Sequence, residues 1–252
     1  MTGAPADEAS PHPDRPSEWN ETWALALAFG LASVPWTYAF VAGLHLPLWP
    51  SFVASASFFA AGGGLDGLVR GYFGNLAGIG YAVATILVTG AVGGGPVALS
   101  FVVGAFMLLA SLHAFVAGLH LPLWPSFVAS ASFFAAGGGL DGLVRGYFGN
   151  LAGIGYAVAT ILVTGAVGGG PVTLSFVVGA FMLLAGLHAF VPRLDFTPGA
   201  FFGYATMFGV HAAGAGAFGL TGLAGEGTAA VVAMLLGACI GLAVERTAGE
   251  LA

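Results

Sequence analysis

Few side chains in this sequence could carry chemistry. His211 lies within a long apolar run, and Asn75 and Asn150 lie among small residues of two other apolar runs. A neutral imidazole can line a solute pathway or relay protons, and an amide can coordinate a polar solute. The alternative for all three side chains is a hydrogen bond to a neighbouring helix. We take His211, Asn75 and Asn150 as candidate residues of a substrate pathway.

Two aspartate–arginine pairs have the four-residue spacing of neighbours on a helix face. Asp66 is followed four residues later by Arg70, and Asp141 is followed in the same way by Arg145. Residues four apart lie on the same helix face, so each pair is predicted to form a salt bridge. Because exposed pairs contribute only about 0–1 kcal/mol, we expect these bridges to orient interfacial loops rather than to gate a pathway.

The sequence contains no arrangement typical of catalysis or of metal binding. No Ser/His/Asp set, HExxH run or pair of carboxylates at catalytic spacing is present. The histidines at positions 45, 113, 120 and 188 fall at the ends of predicted spans without cysteine or carboxylate partners at metal-ligand spacing. We therefore predict a protein that is not an enzyme, with no catalytic residue, no metal and no cofactor.

The composition is typical of a protein embedded in a lipid bilayer. Hydrophobic residues make up 58% of the 252 and charged residues 6%, whereas soluble proteins have about 25% charged residues. No lysine occurs, and five arginines against eleven acids give a net charge of -6, which excludes a basic nucleic-acid-binding surface. The 43 glycines predict closely packed membrane helices and a possible homo-oligomer through glycine-rich faces.

A long segment of the sequence occurs twice. Residues 39–116 return at 114–191, an offset of 75 residues, and only two aligned positions differ: Ala98 against Thr173 and Ser111 against Gly186. Old structural repeats keep little more than their hydrophobic pattern. The near-identity therefore indicates a recent duplication.

The hydrophobic runs predict an all-α polytopic transmembrane bundle of about nine spans over residues 23–252, after a disordered, acidic, cytoplasmic tail at 1–22. A span needs about 20 apolar residues. The glycine triplet at Gly62, Gly63 and Gly64 is predicted to break the chain, either as a simple loop or as a broken helix that exposes carbonyls to a solute. The predicted spans are Trp23–Gly43, Leu46–Leu65, Gly71–Val92, a fourth ending near Val116, Leu121–Leu140, Gly146–Val167, Pro171–Val191, Pro198–Gly219 and Gly227–Val244.

Removing one copy leaves 252 minus 75, or 177 residues, with six predicted spans. With a cytoplasmic N-terminus, every arginine of this unit falls on the cytoplasmic side, as the positive-inside rule prefers. Three inserted spans would invert everything that follows them and place Arg145, Arg193 and Arg246 outside. We therefore expect the six-span form to be the evolved unit.

Two glycine-rich motifs carry a resemblance. The run from Phe58 to Leu68 includes Gly-Gly-Leu-Asp-Gly-Leu, and a later run contains Pro198, Gly199, Phe201 and Gly203. In this order they resemble the YcdZ-like bacterial inner-membrane proteins, a family of unknown function. The resemblance covers most of the chain outside the tail, although the chain departs from the family by a whole extra copy. It implies a multi-pass inner-membrane protein without a known substrate or catalytic residue.

Taken together, these features favour a permease or channel-like protein for a small uncharged solute, because so few charges suit neither a charged substrate nor ion coupling. The alternative is a non-transporting structural or accessory membrane protein. The two hypotheses differ in whether His211 and Asn75 share a water-accessible cavity.

Overall fold

The computed structural model describes residues 18–106, 116 and 118–251. Most of the predicted tail, the end of the fourth predicted span and His113 lie outside the described residues. The first helix begins at Glu18, so the last five residues of the predicted tail are helical. All side-chain statements below concern the described part of the chain.

The described residues form nine α-helices and no strand, which confirms the predicted all-α membrane fold. The helices are α1 (Glu18–Tyr38, extended by a π-helical turn at Ala39–Gly43), α2 (Trp49–Ala60), α3 (Gly64–Ala91), α4 (Gly95–Phe106), α5 (Trp124–Ala135), α6 (Gly139–Ala166), α7 (Pro171–Leu187, followed by a 3-10 turn at His188–Phe190), α8 (Thr197–Ala213) and α9 (Gly222–Leu251).

Five helical stretches in the described part are long and apolar enough to cross a membrane, fewer than the nine predicted spans. They are Asn20–Gly43, Gly64–Ala91, Gly139–Ala166, Pro171–Phe190 and Gly222–Glu250. The helices α2 and α5 have 12 residues each and rise about 18 Å, whereas a hydrocarbon core is about 30 Å thick. Two predicted spans are therefore short helices, because each begins at a Trp-Pro pair and ends at a glycine triplet.

The glycine triplet after α5 makes the reversal possible. Gly137, Gly138 and Gly139 have φ values of 104°, 70° and 62°, which only glycine adopts readily. The chain consequently turns within three residues, and α6 runs back along α5.

Six helices pack into one compact bundle, here called the six-helix unit: α1, α5, α6, α7, α8 and α9. Its tightest crossing joins α1 to α7, which run antiparallel. A Cβ at Gly30 would lie 3.1 Å from the Gly179 carbonyl oxygen, and a Cβ at Gly179 would lie 2.8 Å from the Gly30 carbonyl oxygen. Small residues thus allow the two backbones to touch.

The six-helix unit consists of two triplets of helices, α1–α5–α6 and α7–α8–α9. Each middle helix packs in parallel on the last helix of the other triplet, α5 on α9 and α8 on α6. The first helices of the triplets cross antiparallel, and the two last helices also contact each other. This reciprocal pattern is that of an inverted repeat.

The remaining helices, α2, α3 and α4, are here called the insert, and they lie beside the unit. In the insert, α2 packs on α8, whereas α3 contacts mainly α2 and α4. Trp49 and Trp124, which begin α2 and α5, have ring centroids 5.3 Å apart, so the equivalent helices of the two copies begin at the same end of the bundle. The predicted inversion of Arg145, Arg193 and Arg246 across a membrane stays a prediction.

Candidate functional site

Several charged residues of the described part lie at one end of the bundle, here called the charged end. Arg145 donates to both carboxylate oxygens of Asp195, at 3.2 and 3.0 Å. Glu245 near the end of α9 accepts a 2.7 Å hydrogen bond from the Gly139 backbone N–H, and α1 begins at this end, where Trp23 contacts Phe190. Arg193 and Arg246 adjoin these groups in sequence. The second copy therefore keeps the charge arrangement of the predicted 177-residue form.

The predicted salt bridges differ from those in the structure. Arg145 pairs with Asp195 rather than with Asp141, because the loop before α8 places Asp195 beside the first turns of α6. Among the described residues, Asp66 and Arg70 form no ion pair. Both side chains of the Arg145–Asp195 pair remain about half exposed, at 41% and 51%.

His211 lies in the last turn of α8 rather than in the middle of a span, because the helix ends at Gly214, whose φ is 59°. Its Nδ1 atom is 2.7 Å from the Oε2 atom of Glu226. The His211 side chain is 44% exposed and that of Glu226 only 9%. The sequence analysis missed Glu226 by placing it in a loop, although it is the only acid between Asp195 and Glu245.

Asn150 lies at the centre of the six-helix unit, where α5, α6 and α8 meet. It is 1% exposed, and its Oδ1 atom accepts a 2.9 Å hydrogen bond from the Ser132 hydroxyl of α5. Its Nδ2 atom has no partner in the structure. A buried amide group without a partner costs about 1–3 kcal/mol, so this position needs a reason beyond packing.

The glycines of the α8 motif explain how α8 approaches Asn150. A Cβ at Gly203 would overlap the Asn150 carbonyl group, and a Cβ at Gly199 would lie 3.1 Å from the Gly149 Cα atom. Pro198 stands in the first turn of α8, where its missing N–H costs nothing. Phe201 points away from Asn150 and contacts Phe29 of α1.

Three further hydroxyl groups are buried on the same two helices, α6 and α8. Thr160 of α6 and Tyr204 of α8 are both fully buried and share a 2.6 Å hydrogen bond. Thr206 of α8 is also fully buried, and its hydroxyl has no partner. The sequence analysis did not single out these residues, because threonine and tyrosine are common in ordinary membrane helices and their neighbours in sequence are apolar.

Asn75, the copy of Asn150, occupies a different environment. It accepts a 3.0 Å hydrogen bond from Ser57, as Asn150 does from Ser132, but it is only half-buried on the outer helix α3. His211 is at the end of the bundle opposite the charged end. The candidate residues Asn75, Asn150 and His211 thus do not share one cavity.

The comparisons with known proteins identify a family whose function is unknown. A family model described as "Protein of unknown function (DUF1097)" matches the chain twice, over residues 26–116 and 105–249. No curated protein and no solved structure matches the chain. The second match includes the helices from α5 to α8 and most of α9.

Proposed function

The chain belongs to the DUF1097 family of proteins of unknown function, and we propose that it is a membrane permease for a small uncharged polar solute. The observation that carries this proposal is the buried amide of Asn150, whose Nδ2 atom has no partner. An amide donor in the bundle core is suited to a hydroxyl or carbonyl group of a passing solute. Polar groups within a membrane bundle typically mark such pathways.

The arrangement of the helices supports the same proposal. Inverted repeats are typical of transporters, whose sites lie at the interface between the repeats. In this chain the middle helices of the two triplets, α5 and α8, both adjoin Asn150. Among the described residues, the Arg145–Asp195 ion pair and the His211–Glu226 contact lie at the two ends of the bundle, which favours an uncharged solute. We also propose that the protein is not an enzyme.

The proposal includes an orientation. Arg145, Arg193 and Arg246 lie at the charged end with the start of α1, and basic residues prefer the cytoplasmic side. We place the N-terminus in the cytoplasm and the protein in a bacterial inner membrane, in line with the resemblance to YcdZ-like proteins.

Two observations favour a second candidate function, that of a non-transporting accessory protein. The first is that, among the described residues, Asn75 and His211 share no cavity, and the second is the lining of the cavities. Three cavities in the described part, of 440, 600 and 670 Å³, are lined mainly by apolar side chains and contain neither Asn150 nor His211. A protein that associates with other membrane subunits, or with itself through its glycine-rich faces, would have such a surface.

Solute flux in proteoliposomes separates the two candidates. The full-length protein is reconstituted, and vesicle volume after an osmotic step is followed by stopped-flow light scattering with glycerol or urea as the probe. Asn150→Leu should slow the flux about tenfold, because losing one hydrogen bond to the solute costs about 1.4 kcal/mol. Asn75→Leu, the matched control in the first copy, should leave the flux unchanged.

Two results would contradict a permease function. One is a wild-type flux equal to that of empty vesicles for both probes, and the other is an equal effect of the two leucine variants. Either result would favour the accessory function. Thermal unfolding of each variant in detergent shows whether a slower flux reflects lost folding.

A further inference from the structure

We propose that two copies of this chain form a dimer through α3 of the insert, with Gly74, Asn75 and Gly78 of each copy at the contact. The helix α3 is long and apolar enough to cross a membrane, and most of its large apolar side chains are exposed. This dimer concerns the insert alone and does not rest on the permease function.

Glycine pairs with a spacing of four residues mark the helix contacts of this molecule. The described helices contain six such pairs. In five of them, a Cβ atom added at either glycine would lie within 3.4 Å of a neighbouring helix. In the sixth, Gly74 and Gly78, both glycines are exposed, and an added Cβ would meet no atom within 4 Å. The five pairs in contact are Gly67 and Gly71, Gly142 and Gly146, Gly149 and Gly153, Gly199 and Gly203, and Gly237 and Gly241.

The second copy shows which partner the free pair accepts. The equivalent glycines of α6, Gly149 and Gly153, pack against Gly199 and Gly203 of α8. A Cβ at Gly149 would lie 3.2 Å from the Gly199 Cα atom, and one at Gly203 would overlap the Asn150 carbonyl group. Each helix contributes one glycine pair to this crossing, and the two helices run parallel. The same sequence in α3 is therefore suited to a parallel helix that carries a glycine pair of its own.

A second copy of the chain offers such a helix, namely its own α3. Two copies inserted in the same orientation are related by a two-fold axis along the membrane normal, so their α3 helices run parallel, as α6 and α8 do. In the described part, every other glycine pair is already in contact with a helix of its own chain. The free pair of one copy is therefore matched by the free pair of the other.

Asn75 gives a second reason for a protein partner at this face. It lies beside Gly74, is only half-buried, and accepts a 3.0 Å hydrogen bond from Ser57 at its Oδ1 atom. A polar side chain that faces lipid within a span is costly, whereas amide groups and small residues stabilise contacts between membrane helices. The Asn75 amide nitrogen is thus suited to donate to the facing α3. Gly78 also borders the 600 Å³ cavity beside α5, which leaves room for the facing backbone.

A matched pair of substitutions on α3 tests the dimer. Full-length protein labelled at its N-terminus with a donor or an acceptor dye is reconstituted together in liposomes, and energy transfer is followed as lipid is added. Gly78→Leu should weaken the dimer at least about tenfold, because leucine keeps the two backbones apart. Gly80→Leu, on the opposite face of α3, should leave the dimer unchanged. A Cβ at either position meets no atom within 4 Å, so neither variant should disturb the fold of a single copy.

The amide has its own test. Asn75→Leu should weaken the dimer about threefold, the effect of one hydrogen bond between membrane helices. The same variant is expected to leave solute flux unchanged, so the dimer and the permease can fail independently. The dimer is overturned if wild-type energy transfer equals that of randomly distributed copies at every lipid ratio. Equal effects of Gly78→Leu and Gly80→Leu would also overturn it, because the contact would then not depend on the glycine face.

Discussion

The helices α3 and α6 have the same 28-residue sequence, but only α6 lies within the bundle. In α6 eight residues are buried, including Gly149, Asn150 and Gly153, whereas Gly67 is the only buried residue of α3. A Cβ added at the equivalent glycines, Gly74 and Gly78, would meet no atom within 4 Å. The same helix-forming sequence therefore occupies two different environments, because the helices that pack against it differ.

One of the two differences between the copies explains why the second copy fills the bundle. Gly186 of α7 lies directly against α1, where a Cβ would come within 2.6 Å of the Ala26 Cβ atom. The first copy has Ser111 at this position, and a serine would force α1 and its partner apart. The other difference, Ala98 against Thr173, has no explanation in the structure.

The largest expected effect comes from adding one methyl group to each of two equivalent glycines. Gly153→Ala should destabilise the protein by about 1–3 kcal/mol, because its Cβ would overlap the Ala200 carbonyl and lie 2.8 Å from the Tyr204 nitrogen. Gly78→Ala, in open space, should leave stability unchanged or slightly higher. Unfolding in detergent, followed by circular dichroism, measures both. Equal destabilisation would mean that α3 is packed as tightly as α6.

The sequence was sufficient for the fold class, and the repeat is visible in the sequence itself. It was not sufficient for the length of α2 and α5. The apolar run of each helix continues through a glycine triplet, so the sequence suggests a full span, whereas the backbone turns at the triplet, as at Gly137. Glu226 was missed for a similar reason, since glycines on both sides of it indicate a loop. The burial of Asn150 and the exposure of Asn75 could not be separated, because their neighbours in sequence are the same.

An intermediate effect is expected at the start of α6. Glu245 accepts from the Gly139 N–H and so caps α6, an interaction that typically contributes about 1 kcal/mol. Glu245→Gln should lose part of this stabilisation, and Glu245→Ala should lose all of it. Arg246→Gln, at the neighbouring position, is the control. If Glu245→Ala unfolds at the wild-type temperature, the cap contributes nothing.

The smallest effect is expected from the arginines of the two copies. Arg145→Gln removes an exposed ion pair with Asp195 and should cost at most about 1 kcal/mol. Arg70→Gln removes no ion pair and should cost less. Comparison of the two unfolding curves at low and at high salt checks this, since salt should reduce only the Arg145 effect. A salt-dependent loss at Arg70 would show an ion pair that the structure lacks.

The central claim is that α7 of the second copy, and not the equivalent stretch of the first copy, packs along α1. A disulfide tests it directly, in a Cys239→Ser background that removes the single native cysteine. A Cβ at Gly30 would lie 2.8 Å from the Leu183 Cβ atom, close enough for a disulfide after a shift of about 1 Å. Gly30→Cys is therefore combined with Leu183→Cys or with Leu108→Cys, the equivalent residue of the first copy.

After mild oxidation in the native membrane, the remaining free thiols are counted by maleimide labelling. Our account predicts that the pair at 30 and 183 loses its thiols and that the pair at 30 and 108 keeps them. Exchanging the two copies at one position, with Ser111→Gly and Gly186→Ser together, should shift the disulfide toward position 108. Equal cross-linking of both pairs in the otherwise unchanged protein would contradict the account, because either copy would then fill the bundle.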